Sequence, residues 1–523
     1  MSSVLSSHKG RILSNYMRLL AGLVVGLLVT RILLSQGEVL FGVYTTITIG
    51  IGVSIMLTEL LRMGFVPELG RHINDGKVID VSSFQSTLAA TFLISIVALL
   101  LGALVMVLLG LWLMPNPRNP ELEEASWVFL WLRIMTMAVI VGVAPAMSVL
   151  LVSGRQQAFN LFLFLERLSE LIGVIVPLSL LSGQAHNADQ LLISIGIGVS
   201  FLTIVTYLVA ARIALSKTRH FRPATRLPSW STFKSILGRV GWSSLQTISM
   251  NLYVRSDILI IALFLGPTGT VALGVAIRLM GYVRQATTGL VNGLDATFAN
   301  MEGQRRRSRN RSGKDNGAVI HKLVAASTSL QANVVFQISV IILLLSEQIV
   351  HIWIGDLLNG SDSSNSVSEI SRLSSLMVIG IGFRSLNLGW MSAMTGSGNA
   401  RHFTPWLLPG AILNVVILLG SAILVPEVFS VTYVGWVFLI LQSITHGIII
   451  PFASARSLGI PIQELLSPLT VPFIISLISF VLGYAIVSIV DAPGSGMEFL
   501  GVIAVAMTGL AAGIAFAILK RKL

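Results

Sequence analysis

Residues 251–279 read NLYVRSDILIIALFLGPTGTVALGVAIRL. The run ends one apolar stretch (240–264), passes a glycine turn, and opens the next (270–299). A helix needs about 20 such residues to cross the hydrocarbon core of a bilayer. Further stretches of the same kind lie at 12–34, 40–62, 84–114, 126–152, 158–182, 190–213, 320–350, 370–395, 404–425, 431–454, 468–490 and 497–519. The expected fold is all-α, a polytopic membrane protein of about 14 transmembrane helices.

The loops supply an orientation. With the N-terminus inside, the inner loops hold Lys9, Arg11, Arg62, Arg71, Lys77, Arg155, the basic residues of 217–239, the 305–322 cluster, Arg401, Arg456 and Lys520–Lys522. The outer loops hold Arg118 alone among basic residues, with Glu38, Glu121, Glu123, Glu124, Asp356, Asp362, Glu427 and Asp491. Lys and Arg favour cytoplasmic loops, so both termini are expected in the cytoplasm.

Composition agrees. Apolar residues make up 54% of the 523 and charged residues 11%, against about 25% charged in soluble domains. Mean hydropathy is +0.84. The net charge of +12 resembles a nucleic-acid signal, but most of it falls where orientation alone places it, so no nucleic-acid partner is expected. The run Arg305–Arg311 is read first as an inner-face anchor and second as a contact for anionic lipid heads. Cysteine is absent, which excludes disulfides and thiolate metal sites. The first span follows Arg11 without a small-x-small cleavage site and is read as uncleaved. No metal triad, nucleotide loop or nucleophile–base pair stands in the sequence, so neither a cofactor nor an enzyme activity is expected.

An internal repeat lies in the turns. Residues 35–44, SQGEVLFGVY, match 267–276, PTGTVALGVA, through Gly37, Val39, Gly42 and Val43 against Gly269, Val271, Gly274 and Val275. Residues 147–159, MSVLLVSGRQQAF, match 391–403, MSAMTGSGNARHF, through Met147, Ser148, Ser153, Gly154 and Phe159 against Met391, Ser392, Ser397, Gly398 and Phe403. Six spans per repeat is even, so the copies enter the membrane in the same sense, as parallel transporter repeats do. The expected organisation is an N-lobe (1–213, spans 1–6), a cytoplasmic linker (214–239), a C-lobe (240–455, spans 7–12), and spans 13–14 with a basic tail (456–523). Two lobes around a cleft suit alternating access.

Ionisable residues inside spans are expensive and face a bundle interior or wet cavity. Arg31, Arg212 and Arg372 lie near span ends and can snorkel. Arg255, Arg284 and Arg384 lie near mid-depth, and Arg18, Arg133, Arg167 and Arg278 complete the set. The acids are fewer: Glu59, Glu166, Glu170, Asp257 and Asp295. Guanidinium forks suit phosphate, which makes Arg18, Arg255, Arg284 and Arg384 candidate substrate-binding residues in an electropositive cavity. The competing reading is local pairing, with Arg167 and Glu170 spaced for it on one helix face. Arg255 and Asp257, two apart, do not share a face, so each needs another partner. Glu59, Asp257, Glu166 and Glu170 are the acids placed to couple a cation. His446 could couple a proton, although a packed neutral histidine is the better reading. Pro145, Pro177, Pro405 and Pro409 are expected to bend helices. The glycines of spans 1 and 2 (Gly22, Gly26, Gly42, Gly50 and Gly52) are expected to mark close packing.

Over its whole length the chain resembles the Wzx-type polysaccharide flippases of the multidrug/oligosaccharidyl-lipid/polysaccharide (MOP) exporter superfamily. The resemblance is carried by Arg31–Leu34 running into GEVLFGVY, by 251–279, by IWIGD (352–356) and by SAMTGSGNARHF (392–403). It implies twelve core spans plus two, opening alternately to each face. It also implies a polyprenyl-diphosphate-linked oligosaccharide as substrate, moved to the outer leaflet of the inner (plasma) membrane for cell-surface polysaccharide assembly. Cationic cavity residues would hold the diphosphate or an acidic glycan, with Arg18, Arg255 and Arg284 as candidates. Membrane lipids are partners, and a polysaccharide polymerase or glycosyltransferase is a candidate docking partner. The rival readings are a MATE-type cation-coupled drug exporter and a peptidoglycan-precursor lipid flippase. A membrane-embedded glycosyltransferase would want longer acidic outer loops.

Overall fold

The computed structural model describes residues 2–522 except 52–63, 67, 71, 75–76, 79, 114–121, 154, 182–187, 217–227, 292–293, 295–297, 299–314, 359–362, 398 and 490–495. Where they are described, the expected stretches fall on helices; 52–62 and most of 292–299 lie outside the described residues. The helices are α1 (Ser2–Ser35), α2 (Glu38–Ile51), α3 (Val81–Leu113), α4 (Glu123–Val152), α5 (Gln156–Leu181), α6 (Ala188–Ser216) and α7 (Trp230–Phe264). Then come α8 (Gly266–Val291), α9 (Asp315–Ile354), α10 (Ser363–Gly396), α11 (Thr404–Leu424), α12 (Val431–Leu458), α13 (Ile462–Ile489) and α14 (Gly496–Lys522). Among the described residues nine helices are long and apolar enough to cross a membrane.

Their surfaces are what a bilayer selects. On α3, Ile96, Val97, Leu100, Leu101, Leu104 and Leu108 are exposed, and on α13 so are Phe473, Ile474, Leu477, Ile478 and Val481. Water would penalise such faces at about 25 cal/mol per Å², whereas lipid does not.

Two helices change pitch. The last turn and a half of α2 (Thr46–Ile51) and the middle of α12 (Ser443–Ile449) are π-helical. π segments are rare and cluster at functional sites. Several helices begin earlier than the apolar runs predict: α1 at Ser2 rather than 12, α10 at Ser363 rather than 370 and α13 at Ile462 rather than 468. Helix α7 begins at Trp230, inside the expected linker, because Ser229–Leu237 offers an amphipathic start that a reading by hydropathy alone discards. Pro405 does not bend α11, since it sits in the first turn, where a missing N–H costs nothing. Pro145, Pro177 and Pro409 do lie inside helices.

The chain forms two compact units, Met1–Gly274 and Val275–Leu523. In the first, α6 packs on α4 and α5, and α1 packs on α5. Its core joins Met147 and Leu150 of α4 to Phe159 and Phe162 of α5 and Tyr207 of α6. Helices α5 and α6 meet backbone to backbone at Gly173 and Gly198. In the second unit, α9 packs on α10, α13 and α14, and α10 packs on α12. Helix α14 fits α9 through glycine notches: a Cβ on Gly513 would overlap Asn333 Oδ1, and one on Gly509 would stand 2.7 Å from Gln337 Nε2. Buried carboxamides act as polar glue between membrane helices.

The second repeat match carries through to single hydrogen bonds. Ser153 N donates to Val149 O (3.0 Å) and Ser397 N to Ala393 O (3.0 Å). Arg155 N donates to Leu150 O (2.9 Å) and Asn399 N to Met394 O (2.7 Å). Ser153 Oγ caps Leu150 O as Ser397 Oγ caps Met394 O. Met147, Leu150 and Phe159 are buried together, and so are Met391, Met394 and Phe403. The first match is looser, for the left-handed backbone falls on Gly37 (φ 126) and Gly266 (φ 74), not on Gly269.

Between α2 and α3 a two-stranded hairpin pairs Ile73 with Val78 and Asn74 with Lys77. It leads to Asp80, which starts α3 by accepting from Ser83 N (3.1 Å) and Ser82 Oγ (3.0 Å). Hydrogen bonds from Ser83, then Ser82, hold its carboxyl down at about 2 from an ordinary 3.8. A depressed carboxylate stabilises the fold above the unfolded-state pKa, and that stability is lost as pH falls through the folded pKa. The window is therefore about pH 4 down to about pH 2. Asp80→Asn should flatten the acid limb of a melting-temperature profile across that window, and an unaltered profile would remove Asp80 from α3 initiation.

Candidate functional site

Helix α5 carries the first polar cluster. At 100° per residue, Glu166, Arg167 and Glu170 lie roughly 140–240° around the helix from Leu161. Leu161, Ile172, Ile175, Val176 and Leu180 form the exposed apolar face, so the charges point to the bundle interior. Arg167 Nη1 donates to Glu170 Oε2 at 3.2 Å, the local pair that the spacing predicts. Tyr44 of α2 donates to the other Glu170 oxygen at 3.3 Å, while Tyr44 stacks on Phe129 at 5.6 Å. Tyr207 of α6 donates to Glu166 Oε2 at 2.8 Å. Ser169 and Thr206 share a hydroxyl contact at 3.2 Å beside them. The cluster joins α2, α5 and α6. Glu166 and Glu170 are legible as a sequence pair, but Tyr44 and Tyr207 are not, since an aromatic in an apolar span reads as core.

Arg255 of α7 is held on two sides. Its Nε donates to Asn251 Oδ1 one turn earlier (2.9 Å), and its Nη1 donates to Ile49 O in the π turn of α2 (2.7 Å). Asp257 itself is fully buried on α7. Arg18 is half-buried on α1.

In the second unit Arg384 of α10 is buried and lies within electrostatic reach of His446, which is buried in the π turn of α12. Asn387 Nδ2 donates to His446 O at 2.5 Å, the second case of a side chain holding a π-turn carbonyl. Gln331 accepts from Gly389 N (3.3 Å), and Trp390 Nε1 donates to Thr328 Oγ1 (2.7 Å). Arg284 is half-buried, 18 residues (284 − 266) or ~27 Å along α8 from Gly266. Among the described residues its guanidinium has no hydrogen-bond or ion-pair partner. Arg212 is exposed four residues before the end of α6, whereas Arg372, also exposed, lies nine residues inside α10, which begins at Ser363 rather than near 370. Glu59 and Asp295 lie outside the described residues, as does the Arg305–Arg311 run. Among the described residues no group of three or more His, Asp and Glu side chains is placed to hold a metal ion.

No protein-family model matches the sequence, and no curated protein matches it. Solved structures do. A MATE transporter in complex with MaL6 superimposes with a TM-score of 0.63 at 13% identity, covering 87% of this chain and 97% of its own. A MOP-superfamily transporter from Pyrococcus furiosus gives 0.63 at 14% identity, with 87% and 96% covered. The lipid II flippase MurJ, in an inward closed conformation, gives 0.60 at 12% identity, with 96% and 98% covered. The chain has the fold of the MOP-superfamily transporters and is a multi-pass membrane protein. These neighbours are transporters and a flippase.

Proposed function

We propose that this protein is an alternating-access flippase that moves a polyprenyl-diphosphate-linked oligosaccharide from the cytoplasmic to the outer leaflet. The observation that carries the reading is Arg284, a half-buried guanidinium on α8 with no hydrogen-bond or ion-pair partner among the described residues. A guanidinium that no described residue pairs is stabilised by an anionic visitor. Arg18, Arg255 and Arg384 are the other binding candidates, and the described acids at depth are only Glu166, Glu170 and Asp257. An inside-negative potential favours outward movement of an anion by about 2.3 kcal/mol per charge per 100 mV. A lateral opening between lobes 1–213 and 240–455 would leave the polyprenyl tail in lipid, sparing the cost of wetting it. The inner membrane, cytoplasmic termini, and a polymerase or glycosyltransferase partner belong to this reading.

MurJ accounts for 96% of this chain and the MATE structure for 87%, so a flippase neighbour extends further along it. The peptidoglycan-precursor reading draws on the same observation. The Glu166–Glu170 pair is what favours a cation-coupled exporter.

In proteoliposomes, a fluorescent polyprenyl-diphosphate oligosaccharide should reach an impermeant quencher faster than in empty vesicles. Arg284→Gln should cut that rate at least tenfold, on the order of 1.4 kcal/mol of lost transition-state stabilisation. Transfer at the empty-vesicle rate, beside ion-driven efflux of a cationic dye, would move the protein to the exporter branch.

A further inference from the structure

Helix α2 is zipped to the α7–α8 hairpin along one seam. At its rim Thr268 Oγ1 donates to Glu38 Oε2 (3.4 Å). Next, Gly42 faces Pro267, whose Cα would lie 3.2 Å from a Cβ there, and Gly274 faces Thr45 and Phe41 at 3.2 and 3.4 Å. Deeper, Gly50 faces Leu259 at 2.9 Å. The seam ends at Arg255 on the carbonyl of Ile49. Apolar contacts between helices gain little in lipid, which is as apolar as they are, so polar bonds and close packing decide association. The Arg255 bond is charge-assisted and about twice as strong as a neutral one. It falls on a π turn, where the wider pitch takes carbonyls off the regular ladder. Asn251 holds Nε and so aims the fork.

We infer that Arg255 is the latch of this seam, a positioning residue whose grip on the Ile49 carbonyl keeps α2 against α7 and α8. A diphosphate, which offers a guanidinium two charged oxygens where the carbonyl offers one neutral oxygen, competes for the same fork and releases the latch. The release step rests on the lipid-diphosphate reading above, whereas the latch does not.

The chain has no cysteine, so Gln36→Cys with Thr268→Cys gives a clean pair for spin labels at two exposed positions, and the Thr268–Glu38 rim bond is given up in parent and variants alike. Pulsed dipolar distances should be short in this parent without ligand. Arg255→Gln should raise the long-distance population several-fold, and Asn251→Ala, a milder change that leaves the guanidinium in place, should raise it less. Distances unchanged from the parent in both variants would overturn the latch. Undecaprenyl diphosphate added to the parent should produce the same lengthening. Lengthening in Arg255→Gln without any response to the lipid would keep the latch and defeat the release step together with the lipid-diphosphate reading.

Discussion

Gly173→Val should leave little folded protein, and even Gly173→Ala should lower the melting temperature in detergent by several degrees. A Cβ at Gly173 would stand 2.5 Å from Val199 N and 2.6 Å from Val199 Cα, and one at Gly198 would stand 2.9 Å from Gly173 O. These are backbone atoms, which have no rotamer to change, so α5 and α6 must separate. Overpacking a core costs about 1–3 kcal/mol when side chains can adjust, and a backbone clash belongs at or beyond the upper end. The separation would also pull Tyr207 on α6 from Glu166 on α5. Gly142→Ala is the control. Nothing lies within 4 Å of a Cβ there, so its effect should stay within about 0.5 kcal/mol. Equal melting temperatures for Gly173→Ala and Gly142→Ala would show that α5 and α6 are not in backbone contact.

Arg167→Gln should be the most damaging charge removal in the first unit. It leaves Glu166 and Glu170 on an interior face without their shared guanidinium, held by two tyrosine hydroxyls. Breaking a fully buried pair costs about 3–5 kcal/mol. Here the Arg167 and Glu170 side chains are 40% and 21% exposed, so screening reduces the expected loss to about 1–3 kcal/mol. Adding Glu170→Gln should restore part of that loss, because the second change removes the orphaned charge. A double-mutant cycle read by thermal unfolding measures the coupling directly. Additive single effects would show that the 3.2 Å contact contributes nothing in the membrane, and the cluster would then be held by its tyrosines.

Much of the fold was legible because hydropathy is a local property. Apolar runs located the helices but not all of their starts: α1, α7 and α10 begin seven to ten residues earlier, where polar and charged residues such as Lys9, Lys234 and Glu369 interrupt the apolar signal while the backbone stays helical. Gly42 and Gly50 were rightly read as close-packing positions, since a missing side chain in a span has few other uses. The repeat in 147–159 and 391–403 was legible because each copy needs the same serine cap and the same buried phenylalanine. The π turns left no such trace. Neither TITIGI nor SITHGII differs in composition from an ordinary α-helical run.

The sequence by itself determined that the chain lives in a bilayer, where its helices lie, that it repeats, and that arginines outnumber acids at depth. Only the tertiary structure decided what each charge does. Arg167 is matched by its own helix, Arg255 by a carbonyl on α2, about 200 residues away along the chain, and Arg284 by no described residue. The physical reason is range. Partition into lipid is summed over neighbouring residues and can be read from them, whereas a guanidinium's partner is set by which helices pack together and at what pitch.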